Sequence, residues 1–93
     1  MAGRVQGKKA LVTGAAQGLG AAQAAMLARE GAKVLLADIN AEGAAEQADK
    51  INTELGAGTA FSVKLDVTQE DQWVAAVAFA ADKLGGLSVL VNN

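Results

Sequence analysis

The sequence contains no cysteine, histidine, tyrosine or proline. Each absence closes a class of reading. Without cysteine no disulfide can staple the fold, and the composition fits a reducing, cytoplasmic compartment. Without tyrosine, histidine or cysteine, no side chain is well matched to exchange a proton with a substrate alcohol. No residue of this chain is therefore expected to be catalytic, and no metal centre is expected. With no proline, no repeat and no low-complexity tract beyond abundant alanine, nothing resembles a linker. No run of about 18 apolar residues occurs, so a membrane-spanning helix is excluded on length and a soluble protein is expected. The basic residues near the N-terminus precede no long apolar region, so no signal peptide is expected. Eight basic and ten acidic residues lie interspersed, for a net charge of −2. That leaves no basic stripe for a phosphate backbone, and nucleic acid is not an expected partner.

What remains is an apolar, alanine-rich chain of 93 residues with 52% hydrophobic and 19% charged content. These values place it among globular domains with room for one small core. A domain this short buries only about two-thirds of the surface its unfolded chain exposes. One domain spanning residues 1–93 is expected, incomplete and dependent on oligomerisation or further sequence.

The organisation follows from alternating periods. Apolar runs at residues 9–12, 33–38, 59–65 and 87–91 read as strands, bounded by glycine or polar turns. Between them, residues 18–30, 41–55 and 69–84 read as helices. Gly31, Gly56 and Gly85-Gly86 mark their ends, and Asn40 is placed to cap the second. Strands alternating with helices specify an α/β fold with a parallel sheet, and right-handed crossovers leave few other layouts. In the third helix, Trp73, Val77, Ala80 and Leu84 fall on one face, predicted to meet the sheet. Trp73 could instead stack on a cofactor ring, but a core stripe is the commoner cause of such spacing.

The first strand runs into Thr13-Gly14-Ala15-Ala16-Gln17-Gly18-Leu19-Gly20, a glycine-spaced turn that opens a helix. A pyrophosphate is held most readily by unpaired backbone amides at a helix start. Gly14 allows a sharp turn, Gly18 clears space for phosphates, and Gly20 lets helix and strand approach closely. A glycine triplet alone is also what a plain strand-to-helix loop would show. Asp38, eighteen residues beyond Gly20 at the end of the second strand, supplies the context of a dinucleotide site. Its carboxylate suits ribose hydroxyls and repels a 2′-phosphate, and neither Gln17 nor Ile39 offers a basic side chain. NAD is therefore expected over NADP, although Asp38 could serve as a local cap. Asp66 ends the third strand on the same edge, where it could accept from an adenine amino group under cover of Val67, or cap the next helix.

Together, the glycine turn, Asp66-Val67 and the closing Val91-Asn92-Asn93 resemble the short-chain dehydrogenase/reductase family, over essentially the whole chain. The resemblance implies a Rossmann-type doubly wound parallel sheet of about four strands, ordered 3-2-1-4, with three helices, incomplete relative to the family. It further implies that Gly14, Gln17, Gly18, Leu19 and Gly20 contact the pyrophosphate and adjacent ribose. Asp38 would hold the adenosine ribose, Asp66 and Val67 the adenine, and Asn93 the central part of the cofactor, while Asn92 braces the sheet. The family continues its Asn-Asn pair with Ala-Gly, where this sequence ends.

Family catalysis uses a tyrosine and a lysine four positions later, with a serine and an asparagine, on elements after the fourth strand. Ser62 and Ser88 lie in strands three and four by this reading and are structural. The implied parent is an oxidoreductase that moves hydride between a secondary alcohol or ketone and a nicotinamide cofactor, as a homo-oligomer. The 93-residue chain alone is expected to be inactive. The alternatives are a non-catalytic nucleotide-binding module and an inactive truncated product.

Overall fold

The computed structural model describes residues 7–93. The reading of the extreme N-terminus as free of a signal peptide falls largely on residues 1–6, outside that range. Seven elements alternate along the chain: β1 (Lys9–Thr13), α1 (Gly18–Arg29), β2 (Lys33–Asp38), α2 (Ala41–Leu55), β3 (Ala60–Lys64), α3 (Glu70–Leu84) and β4 (Val89–Val91). The four strands form one parallel sheet in the order β3-β2-β1-β4, as the resemblance implies.

The central strands are apolar at every inner position because both of their faces are covered. Leu11, Val12, Val34, Leu35 and Leu36 are fully buried. Ala10, Val12, Val34 and Leu36 point to α1 and α2, whereas Leu11, Leu35 and Ala37 point to α3. Alanine dominates the inward helix faces, at Ala24 and Ala28 in α1 and at Ala44 and Ala48 in α2. Short side chains let the helix axes lie close to the sheet, which explains the alanine content as packing.

Local chemistry sets the element ends. Asn40 caps α2 as expected, its side chain accepting from the Gly43 amide at 3.0 Å. Asn52 ties α2 to β3 by accepting from the amides of Thr59 and Ala60 and donating to the Ala60 carbonyl. Gly85 closes α3 in the left-handed conformation that glycine adopts without strain.

Two expectations need correction. The inward face of α3 carries Trp73, Ala76, Ala80 and Leu84, and Val77 is 43% exposed. The small Ala76, not Val77, is the residue that fits against the sheet, so the packing surface and not the helical period chose between these neighbours. Ser88 stands just ahead of β4 instead of within it. It brackets β1, its hydroxyl and amide meeting the Lys9 amide and carbonyl at 2.8 Å each. Ser62 does lie in β3, as expected.

Candidate functional site

Because all four strands are parallel, their C-terminal ends share one edge of the sheet. The strand order reverses direction between β1 and β4, which opens a crevice at that edge. Ligands of open α/β sheets bind at such switch points. The fold brings Thr13, Gly14, Asp38, Asp66, Asn92 and Asn93 to this edge from four different strands or their following turns.

The glycine turn is built by clearance as much as by flexibility. Gly14 leaves β1 with φ of 62° and packs beneath Asn93, whose Cβ would lie 3.4 Å from any Cβ at that position. At Gly20 an added Cβ would overlap the Gly14 carbonyl oxygen and lie 2.7 Å from its carbon. Only glycine permits α1 to start this close to the turn. Gly18 opens the helix with φ of 61° and meets nothing within 4 Å, which leaves free space above the first turn. The turn is anchored from behind, where the Ala15 amide donates to the Ala37 carbonyl at 3.2 Å.

The start of α1 is electrically unsatisfied. Its N-cap, Gln17, makes no side-chain capping bond, and its first turn holds no acidic residue. By contrast, α2 carries Glu42 and the Asn40 cap, and α3 carries Glu70 and Asp71. The amides of Gly18, Leu19 and Gly20 have no carbonyl four residues back within the helix, and Ala21 is the first to reach one, at Gln17. Leu19 is 69% exposed beside them. Backbone amides and the helix dipole together present an anion-binding surface.

Asp38 lies at the lip of this turn, half-buried. One carboxylate oxygen accepts the Ala16 amide at 3.1 Å and the other the Asn40 amide at 2.8 Å. These bonds orient the carboxylate between the glycine turn and the start of α2. A carboxylate has about four acceptor directions, so two remain for a diol. The capping alternative also has a basis here, since the Asn40 bond is local. Gly43 contributes to this corner without having been singled out by sequence. A Cβ there would come within 2.8 Å of the Ala16 Cβ, so the glycine lets α2 dock against the turn.

Asp66 closes a turn ahead of α3. Its Oδ1 accepts from the Thr68 amide at 3.0 Å and from the Thr68 hydroxyl at 2.7 Å. These bonds, chiefly that from the hydroxyl, hold its carboxyl below the ordinary aspartate range, with a smaller contribution from Lys64. The N-cap of α3 is Gln69, so Asp66 shapes the approach to the helix without capping it. Val67 is 46% exposed on the same loop. Two side chains of α3 fix that loop: Gln72 accepts the Asp66 amide at 2.7 Å, and Trp73 Nε1 donates to the Val67 carbonyl at 2.8 Å. Trp73 thus packs partly against the core and braces the loop.

Between β1 and β4, the buried Thr13 is the hub. Its hydroxyl donates to Asn92 Oδ1 at 3.0 Å and accepts the Asn93 amide at 2.9 Å. Asn92 therefore ties the sheet, while the Asn93 side chain donates to the Thr13 carbonyl at 3.0 Å and to Gln23 at 2.8 Å. Thr13 and Gln23 are contributions that spacing alone did not reveal. The buried position of a hydroxyl at the end of an apolar strand was the available signal for Thr13.

A hollow of about 440 Å³, lined by residues including Ala28, Ala32, Leu55 and Thr59, opens at the opposite edge of the sheet. It holds none of these groups. Among the described residues, no group of three or more metal-ligating side chains is placed to hold an ion. No described helix is long and apolar enough to cross a membrane.

Comparison with known proteins agrees with this geometry. Residues 8–93 match the family model for short chain dehydrogenase. A trans-4-hydroxycyclohexanecarboxylate dehydrogenase of Sinomonas cyclohexanicum is 46% identical over 97% of this chain, which spans 36% of that relative. A 3-alpha-(or 20-beta)-hydroxysteroid dehydrogenase of Mycobacterium tuberculosis is 49% identical over the whole chain, which spans 34% of it. The crystal structure of a hydroxysteroid dehydrogenase from Escherichia coli superposes with a TM-score of 0.90 at 42% identity. That match covers 97% of this chain and 37% of the other. The chain thus corresponds to about a third of the length of these relatives. Given a family match that leaves out only the first seven residues, and a superposable fold, the chain belongs to the short-chain dehydrogenase family.

Proposed function

We propose that residues 1–93 form the NAD-binding part of an oxidoreductase that moves hydride between a nicotinamide cofactor and a secondary alcohol or ketone. The observation that carries this is the uncapped, acid-free start of α1, set against a turn where only glycine clears the Gly14 carbonyl. Such a cradle fits a pyrophosphate. Gly14, Gln17, Gly18, Leu19 and Gly20 hold the phosphates and adjacent ribose by this reading. Asp38 takes the adenosine ribose diol, Asp66 and Val67 border the adenine, and Asn93 faces the central part of the dinucleotide.

The preference for NAD over NADP rests on charge. Asp38 presents two remaining acceptor directions and a negative charge where a 2′-phosphate would sit, and no basic side chain stands at Gln17 or Ile39 to offset it. The bound cofactor supplies the hydride donor or acceptor. This chain's own residues bind and orient it. Proton exchange with the substrate oxygen has no candidate here, so the isolated chain is expected to bind cofactor without turnover. The reading extends to a cytoplasmic enzyme, a small-molecule substrate and a homo-oligomer for the longer protein. Relatives that act on cyclic alcohols and hydroxysteroids support the substrate class.

Calorimetric titration of the chain with NADH and NADPH tests the reading, with circular dichroism as the folding check. Saturable NADH binding that NADPH does not match is expected, and Asp38→Ala should narrow that gap about tenfold, as loss of a charged hydrogen-bonding group does. Binding of neither nucleotide by a folded chain would overturn the assignment.

A further inference from the structure

Gln23 is the only polar side chain of α1 between its glycine start and Arg29. It follows Gly20 by three residues and so projects on the same side of the helix. There it crosses to β4, where its Oε1 accepts a hydrogen bond from Asn93 Nδ2 at 2.8 Å. The same Nδ2 donates to the Thr13 carbonyl at 3.0 Å, and the Asn93 backbone amide donates to the Thr13 hydroxyl at 2.9 Å. A carboxamide has two N–H donors and one acceptor oxygen. All three donors of Asn93 are therefore engaged. Its side-chain Oδ1 has no partner among the described residues, and a flip of the amide would place that oxygen against two other oxygens.

We propose that Gln23 is a positioning residue that locks the Asn93 carboxamide with both of its side-chain hydrogens engaged, so that Oδ1 is the atom of that carboxamide left to meet a ligand between β1 and β4. The ligand group that meets Oδ1 must then donate a hydrogen bond, as a ribose hydroxyl or a carboxamide N–H does, and cannot be a phosphate. Thr13 alone holds one side-chain hydrogen of Asn93. Gln23 holds the other, which removes the rotated alternatives. This inference rests on the dinucleotide reading of the crevice.

The test uses the nitrogen-15-labelled chain and two variants, Gln23→Met, which keeps length without an acceptor, and Gln23→Glu, which keeps one. In the parent chain both Asn93 side-chain amide protons should be shifted and protected from exchange. Gln23→Met should release one of them, and Gln23→Glu should retain it, with unchanged melting midpoints. Gln23→Met should also weaken NADH binding about threefold to tenfold, the usual effect of one net hydrogen bond. An Asn93 signal indifferent to Gln23→Met overturns the proposal, as does unchanged NADH affinity or a parent spectrum without folded dispersion. If the Asn93 signal responds but the parent binds no NADH, the dinucleotide reading is what fails, and the ligand-selecting role falls with it.

Discussion

The smallest decisive object in this molecule is the hydrogen atom at Gly20 where other residues carry a Cβ. Alanine usually improves a helix by about 1 kcal/mol over glycine. Here the added carbon would meet the Gly14 carbonyl, a backbone group that cannot swing away. Overpacking of this kind costs about 1–3 kcal/mol and sometimes more, so the clash outweighs the propensity gain. Gly20→Ala should therefore destabilise the chain by about 1–2 kcal/mol in urea unfolding, and NADH affinity should fall with it. A neutral or stabilising result would mean that α1 does not approach the turn so closely. The sequence spacing pointed to Gly20, but the partner of the clash became visible only in three dimensions.

Asp66 offers a residue-scale test in pH. Its folded carboxyl titrates below the ordinary range, mainly through the Thr68 hydroxyl and then the Thr68 amide. A depressed folded value means that its contribution to stability is present above the unfolded value and fades as pH falls below about 4. Replacing Thr68 with alanine removes the larger cause while sparing the amide bond. The Asp66 titration followed by carbon-13 NMR should then move upward toward the ordinary aspartate value, and the acid-side loss of stability attributable to this carboxyl should shrink. An unmoved titration would show that the hydroxyl bond does not form in solution.

At the scale of elements, the three helices share one construction but differ at their first turns. Acidic residues sit at the starts of α2 and α3 and are missing from α1. An acid near a helix N-terminus is worth about 0.3–1 kcal/mol, so its omission from α1 leaves stability unused at the one helix start facing the crevice. Leu19→Asp should consequently raise the melting midpoint slightly, while NADH affinity drops at least tenfold through repulsion and competition for the amides. A variant that binds NADH as well as the parent would remove the phosphates from this helix start. The positions of all three helices were legible from glycine stops and capping residues. Which residues of α3 turn inward was not, because Val77 and Ala76 are adjacent on the helix and only the sheet surface chose between them.

For the whole molecule, coverage of the sheet is uneven. Helices α1 and α2 lie on one face, and α3 lies on the other over β1 and β2. On β4, Val89 and Val91 pack toward α1, whereas Leu90, paired with Leu11 of β1, is 52% exposed. Two leucines side by side in one sheet thus have opposite burial. Leu11→Ala should cost about 2–5 kcal/mol, as buried leucines do. Leu90→Ala should cost well under half of that in this chain, as a half-exposed position does. Equal costs in paired unfolding experiments would mean that Leu90 is covered in solution, by a second copy or by another part of the molecule.

The sequence by itself determined the alternation of strands and helices, the glycine turn, and the acidic residues at the end of β2 and in the turn after β3. Those features are local, being set by periodicity, backbone freedom and capping chemistry within a few residues. Contacts across long separations were decided by tertiary structure alone. Thr13, Gln23 and Asn93 meet across some seventy to eighty residues of chain, and Gly43 meets Ala16 across another turn. No spacing rule encodes such meetings, since they depend on β4 pairing with β1 and on α2 docking against the glycine turn. The parallel sheet, by gathering the ends of its strands on one edge, brought scattered polar residues together as a candidate site.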